Sequence, residues 1–163
     1  MMAQITHPNL QKLMERLLAL LSLALLGISA SAFAADGLVS MKSQFDAKQT
    51  MNRLEDIVKQ KGFTVFARID HAAGASKIGK QLRPTELLIF GNPKGGTPFM
   101  ECAQSVGIDL PLKALAWEDA SSQVWLSYND PEWMAKRHNV SSCPVVAKMR
   151  KALAGIAAAA TSK

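Results

Sequence analysis

His71 is the residue of this chain that most suggests chemistry. It directly follows Asp70 at the end of a stretch that alternates apolar and polar residues. Its imidazole could act as a base, or ligate a metal ion or a haem iron. Adjacent residues of a strand point to opposite faces, however, so Asp70 cannot readily orient the ring. Two interpretations stay open: a site for catalysis, haem or metal at His71, or a structural histidine at the end of a strand.

The other candidate side chains give weaker patterns. His138 lies in a Lys-Arg-His run, which is typical of a solvated helix end. Thr97 and Ser127 lack the G-x-S-x-G surroundings of an activated serine. The chain has neither a C-x-x-C-H pattern nor paired Cys/His spacing, which argues against covalent haem and a structural zinc site. We therefore favour a protein without a reaction of its own and without a cofactor.

The segment LLIFGNPKGGTPFM, residues 87–100, has the glycines and the lysine of a phosphate-binding loop. A Walker A motif needs its lysine after the glycines, whereas Lys94 precedes Gly95 and Gly96. No G-x-G-x-x-G is present either. We expect the segment to leave a buried strand and to begin a short helix with Thr97 as the N-cap. The free amides of that helix start could bind an anion; the alternative is a plain exit from a strand.

The periodicity of apolar residues predicts the elements that position these side chains. The order along the chain is strand, helix, four strands and helix, with two short helical insertions. Strands that follow one another through short connections favour an antiparallel meander. We predict an α+β fold with the helices on one face of the sheet. The predicted strands lie near residues 38–45, 63–71, 85–91, 112–119 and 124–130.

The second face of this sheet has no predicted helix to cover it. Several large apolar side chains left in water would favour aggregation, so we expect a second subunit or a hydrophobic ligand to cover them. Trp117, Trp125 and Tyr128 could line a pocket, although an aromatic stripe in a sheet is more often core or interface. The side chains expected on this face are Leu88, Phe90, Leu115, Trp117 and Trp125.

Residues 1–34 have the pattern of a secretory signal peptide. A basic stretch that ends at Arg16 precedes the uncharged segment LLALLSLALLG, residues 17–27, and residues 32–34 read Ala-Phe-Ala. We predict cleavage after residue 34 and a single α+β domain over residues 35–163. That domain would be secreted to the periplasm and would not stay inserted in the membrane. The alternative is an uncleaved anchor helix.

Charge and cysteine content limit the partners and the compartment. The net charge is +6, but the basic residues are spread along the chain, so nucleic acid is not a predicted partner. In an oxidising compartment two cysteines often pair. Cys102 and Cys143 could form a disulfide worth about 3–4 kcal/mol in the chain-entropy model. Two separate thiols are the alternative.

Five segments together resemble the domain-of-unknown-function family 302, a bacterial and archaeal family. The resemblance covers about residues 39–138. It implies a TBP-like α+β fold with a strand-helix-four-strand-helix core, and a homodimer, but no established reaction. Motifs of the family fall on Asp70-His71, Arg83-Pro84 and residues 91–94 without an assigned role. The segments that carry the resemblance are SQFD at 43–46, IDHAAGA at 69–75, LRPTELLIFGNPKGGTP at 82–98, GIDLPLKALAWED at 107–119 and VWLSYNDP at 124–131.

Together these patterns predict an exported homodimeric module that binds an unidentified small ligand or a partner. The alternative is an enzyme, or a haem or metal protein, that uses His71. In a meander His71 and Asn92 lie at opposite ends of the sheet, roughly 20 Å apart for strands of this length. One subunit would therefore not bring them together. The candidate binding residues are His71, Arg83, Asn92, Lys94, Thr97, Trp117 and Tyr128.

Overall fold

The computed structural model describes residues 37–163, so the predicted signal peptide at residues 1–34 lies outside the described residues. The α+β class and the predicted order of strand, helix, four strands and helix are confirmed. The described part has three short α-helices between the main elements, where two insertions were expected. The strands are β1 Leu38–Lys42, β2 Thr64–Asp70, β3 Thr85–Gly91, β4 Leu112–Glu118 and β5 Val124–Asn129. The helices are α1 Ala47–Gln60, α2 His71–Ser76, α3 Pro93–Cys102, α4 Pro131–Arg137 and α5 Val145–Thr161, with a 3-10 turn at Gln104–Ile108.

The five strands form one antiparallel sheet in the order β1-β5-β4-β3-β2. Strands β2 to β5 make the predicted meander, and β1 adds to the free edge of β5, where Leu38 pairs with Asn129. The long helices α1 and α5 contact each other and pack on one face of the sheet. Their buried side chains, Leu54 and Leu153 among them, meet Leu88 of the sheet in the core. No helix within residues 37–163 is both long and apolar enough to cross a bilayer.

Local signals set the ends of helix α1 and fix it to α5. The carboxylate of Asp46 accepts a hydrogen bond from the amide of Gln49 at 2.7 Å, which caps the first turn. Gly62 adopts a φ of +77°, the left-handed conformation that commonly follows a helix end. Arg53 then donates hydrogen bonds of 2.8 to 3.2 Å to three carbonyls at the C-terminal end of α5. This contact caps α5 and holds the two helices side by side.

The register of β3 against β4 corrects the predicted uncovered face of the sheet. Leu88 pairs with Ala114, and Leu87 pairs with Leu115. Paired residues of antiparallel strands lie on the same face, and Leu88 is fully buried under the helices. The expectation was wrong for Leu88 and for its neighbour of the same parity, Phe90, because it placed β3 one residue out of step with β4. The uncovered face instead carries Leu87, Ile89, Leu115, Trp117 and Trp125.

Candidate functional site

A cavity of about 680 Å³ lies between helices α3 and α5, at the end of the sheet where β2 begins and β3 ends. Concave, mostly apolar spaces of this size are the usual form of a small-molecule site. The chain segments that enclose it come from distant parts of the sequence, so packing alone brings them together. Its apolar walls include Phe63, Phe66, Met100, Leu110, Val145 and Met149.

Helix α3 begins at Pro93 with Asn92 as its N-cap, five residues before the N-cap that was expected at Thr97. The reason is the side chain of Asn92. Its Oδ1 accepts a hydrogen bond from the amide of Lys94 at 2.9 Å, and its Nδ2 donates to the carbonyl of Gly62 at 2.9 Å. Asparagine is a strong N-cap, and proline suits the first helical position that follows it. Asn92 therefore sets the start of α3 and ties that start to the turn before β2.

Gly91 and a bulge in β2 shape the wall where β3 passes into α3. A Cβ atom on Gly91 would lie 3.3 Å from the ring of Phe66 and 3.4 Å from Pro111, so glycine lets both side chains close onto the strand. The register of β2 shifts at Phe66, and such bulges turn a side chain away from the regular alternation. Phe66 consequently lines the cavity while 58% of it stays exposed.

A disulfide between Cys102 and Cys143 joins the two helices that flank the cavity. Cys102 is the last residue of α3, and Cys143 lies just before α5. Their Cα atoms are 6.1 Å apart. Helix α3 is thus held at both ends, by Asn92 at its start and by the disulfide at its end. We conclude that the Asn92 hydrogen bonds and the disulfide hold helix α3 in place beside α5 and so set the width of the cavity.

The rim of the cavity is positively charged. Lys94 and Lys148 are the ionisable residues among those that line it, and both are exposed. Within residues 37–163 neither ammonium group belongs to an ion pair. Thr97 adds an exposed hydroxyl to the same rim. The cavity therefore combines apolar walls with two cationic groups and no lining carboxylate.

Three of the seven candidate binding residues line this cavity: Asn92, Lys94 and Thr97. His71 lies at the opposite end of the sheet, because it follows β2 whereas Asn92 follows the antiparallel strand β3. Arg83 is also at that far end, where its Nε donates to the carbonyl of Glu118 at 3.1 Å. The structure therefore separates His71 and Arg83 from the cavity residues.

His71 is the exposed first residue of the short helix α2. The carboxylate of Asp70 caps that helix by accepting a hydrogen bond from the amide of Ala73 at 2.8 Å. The Asp70 carboxylate is therefore engaged with the backbone of α2. Among residues 37–163, no three or more His, Cys, Asp or Glu side chains converge in a way that could hold a metal ion.

Trp117 and Tyr128 lie on opposite faces of the sheet and share no pocket. Trp117 lies on the uncovered face, where its Nε1 donates to the hydroxyl of Ser127 at 2.8 Å and its ring stacks on Trp125 with centroids 6.3 Å apart. Tyr128 pairs with Ala114 on the helix side and is buried. That burial raises the pKa of the Tyr128 hydroxyl.

A polar cluster near the 3-10 turn was not foreseen. The hydroxyl of Ser105 lies 2.9 Å from Nδ1 of His138, and Nε2 of His138 lies 2.8 Å from a carboxylate oxygen of Asp109. Arg137 donates to the other oxygen of Asp109 at 2.8 Å. A hydrolase triad places its serine on Nε2 and its carboxylate on Nδ1, the reverse of this order.

The same cluster corrects the expectation that His138 is solvated, since only 8% of its side chain is exposed. The cluster lies outside the cavity lining, and its Asp109 carboxylate also forms an ion pair with Arg137. These contacts fix the 3-10 turn to the end of helix α4. No motif in the sequence predicts this cluster, because Ser105 and Asp109 contact His138 only through tertiary packing.

Comparison with known proteins identifies relatives without assigning a role. A family model described as "Domain of unknown function DUF302" matches residues 39–156. Proteins named "Fluoride-specific ion channel FluC 1", from Brucella suis biovar 1 (strain 1330) and Brucella abortus biovar 1 (strain 9-941), are 49% identical to this chain over 104 residues, 64% of its length. The match covers 41% and 38% of those proteins, so the chain spans about two fifths of the curated relatives it matches.

A solved structure shows the same fold. The crystal structure of an uncharacterized conserved protein DUF302 from Bacillus stearothermophilus aligns with a TM-score of 0.70 and 20% sequence identity. The alignment covers 77% of this chain and 99% of that one.

Proposed function

The chain belongs to the DUF302 family, whose description assigns no activity, and we propose that it is an exported, homodimeric module that binds a small apolar ligand without transforming it. The observation that carries the proposal is the cavity of about 680 Å³ between α3 and α5. A ligand that fills such a space exchanges water for apolar contact, which contributes roughly 25 cal/mol for each Å² buried.

The contacts that hold helix α3 in place support a binding site that is formed before the ligand binds. Helix α3 is capped by Asn92 and tied at its far end through Cys102 and Cys143. A site held open in this way loses little conformational entropy when a ligand enters, so more of the contact energy appears as affinity. The disulfide also suits the oxidising periplasm that the signal peptide predicts.

The uncovered face of the sheet supports the homodimer. Leu87, Leu115 and Trp117 lie next to one another across β3 and β4, and none of them is fully buried. The two long helices α1 and α5 pack on the opposite face of the sheet. A second copy would bury the same apolar patch on each subunit through a two-fold interface, the commonest form of homo-oligomer. The family resemblance points to the same assembly.

The proposal is tested by ligand recovery followed by blocking of the cavity. Protein purified from the periplasm of its own organism is denatured, and released molecules are identified by mass spectrometry. The variant Ala152→Phe places a ring in the cavity from an exposed position on α5, while Ala154→Phe makes the same change on that helix outside the lining. We expect a co-purifying apolar molecule in wild type and in Ala154→Phe, and its loss in Ala152→Phe. Equal recovery from all three proteins would refute binding in the cavity.

The Brucella relatives favour a second candidate function, a role beside a membrane ion channel. Their name assigns them fluoride channel activity, and about three fifths of their length lies outside the match. In this alternative the domain would be the partner of such a channel. Deleting the gene for this chain should then increase the sensitivity of its host to fluoride, and the full chain supplied in trans should restore growth. Unchanged fluoride tolerance would leave ligand binding as the function to pursue.

A further inference from the structure

The charges around the cavity narrow the class of ligand, an inference that rests on the proposed function. We infer that the ligand is an apolar molecule with one anionic group, and that this group lies at the rim between Lys94 and Lys148. The residues that line the cavity include these two cations and no Asp or Glu. The apolar walls would enclose the body of the ligand, and the rim would receive its charge.

The two lysines enter the rim from different elements. Lys94 is in the first turn of α3, and Lys148 is in the first turn of α5. Neither has a carboxylate partner within residues 37–163, whereas the nearby Arg150 of α5 lies 2.6 Å from Glu132. Arg150 is already paired with a carboxylate, whereas the two lysines are not. An anion that enters the cavity would therefore be attracted to the lysines at the rim. An anion there would also meet no lining carboxylate that repels it.

The charge acts on selectivity more than on affinity. Exposed ion pairs in water contribute little, but the same pair strengthens at the mouth of an apolar space where the effective dielectric constant is lower. A cationic ligand would meet two like charges, and a neutral one would leave both lysines as they are. The arrangement therefore favours an amphipathic anion over a neutral or cationic molecule with the same apolar body.

Two fluorescent probes with the same ring system test this inference. Anilinonaphthalene sulfonate carries one negative charge, and phenylnaphthylamine is its neutral counterpart. Each is titrated into wild type, the double variant Lys94→Gln/Lys148→Gln, and the control Lys151→Gln, whose exposed lysine lies on α5 outside the lining. We expect the sulfonate to bind wild type more tightly than the neutral probe. The double variant should weaken sulfonate binding about threefold to tenfold, with little change for the neutral probe and none in the control.

Competition then identifies the headgroup. Decanoate, decyl phosphate and decanol each have a linear chain of ten carbons and differ in the charge of the headgroup. Displacement of the probe by either anion at lower concentration than decanol supports the inference, and the better anion separates a carboxylate ligand from a phosphate ester. Decanol that competes as well as both anions, with a double variant that behaves as wild type, would overturn the anionic class.

The variant Ala152→Phe keeps this outcome distinct from failure of the proposed function. If both probes bind wild type equally and Ala152→Phe removes both, the cavity binds ligands but does not select for charge. If Ala152→Phe changes the binding of neither probe, the probes bind outside the cavity. Both the proposed function and the anionic ligand class are then refuted.

Discussion

Asn92 and Gly62 are joined by a hydrogen bond of 2.9 Å although 30 residues separate them in the chain. The contact exists because β2 and β3 are antiparallel, so the turn before β2 lies beside the residue that follows β3. The same side chain caps α3 through Lys94. One asparagine thus positions the helix that forms a wall of the cavity. Substitution of Asn92 therefore allows its effect on stability to be compared with its effect on ligand binding.

We expect Asn92→Ala to lower the free energy of unfolding by about 1–2 kcal/mol, because it removes both the cap and the bond to Gly62. Asn92→Asp keeps the capping oxygen and loses only the donor, so its effect should be smaller. Urea denaturation measures both values, and probe titration under native conditions reports on the cavity. Equal stability of wild type and Asn92→Ala would show that the cap is not formed in solution.

The disulfide gives a second prediction. Free-thiol titration of the unfolded, unreduced protein should detect no reactive thiol from Cys102 or Cys143. The double variant Cys102→Ser/Cys143→Ser should lose about 2–4 kcal/mol of stability. It should also bind the probes more weakly, because the end of α3 is released from α5. Reduced wild type is the matched control and should behave as the double variant does; two reactive thiols before reduction would rule the bond out.

Much of the architecture follows from local patterns, and the errors have a common origin. Alternation in the β1 and β2 segments predicted those strands, and a helical period predicted α1. The face on which Leu88 lies depends on how β3 pairs with β4. The alternation of apolar residues within one strand does not determine its register against the next strand. The start of α3 depended on Asn92, whose cap precedes the more conspicuous threonine-proline pair at Thr97.

The candidate site was predictable only in part, for the same reason. The loop that contains Lys94 and Thr97 stood out by composition, and it does line the cavity. The opposite wall comes from α5, and the sequence gives no sign that Lys148 and Met149 face that loop. Phe66 turns toward the cavity through a bulge that interrupts its strand pattern. Such features follow from tertiary packing and not from spacing.

Asp119 predicts how stability depends on pH. Hydrogen bonds from Ser121 and Trp125 hold the pKa of the Asp119 carboxyl well below its usual range. A carboxyl whose pKa is lowered by folding stabilises the folded state above its unfolded pKa of about 4, and that contribution is lost as the pH falls toward the folded value. Wild type should therefore lose stability below about pH 4 more steeply than Asp119→Asn. Melting temperatures across this range compare the two, and parallel curves would contradict the assignment.

His71 offers a test of the alternative function. The residue is exposed and lies at the end of the sheet away from the cavity. We expect His71→Ala to leave probe binding, stability and the absorption spectrum unchanged. Metal analysis and a visible spectrum of natively purified wild type are measured beside the variant. A haem band or stoichiometric metal that disappears in His71→Ala would refute the binding module and show that the chain is a haem or metal protein.

The last prediction concerns the uncovered face of the sheet. Leu115 lies at its centre, paired with Leu87 on one side and Ser127 on the other. Burying a large apolar side chain contributes about 1.5–3 kcal/mol, so a charge at this position should break a two-fold interface without reaching the core beneath. We expect sedimentation at micromolar concentration to show a dimer for wild type and a folded monomer for Leu115→Asp. Leu82→Asp changes an equally apolar residue, 56% exposed and outside the sheet, and should stay dimeric. A monomeric wild type would refute the homodimer, and a dimeric Leu115→Asp would place the interface on another surface.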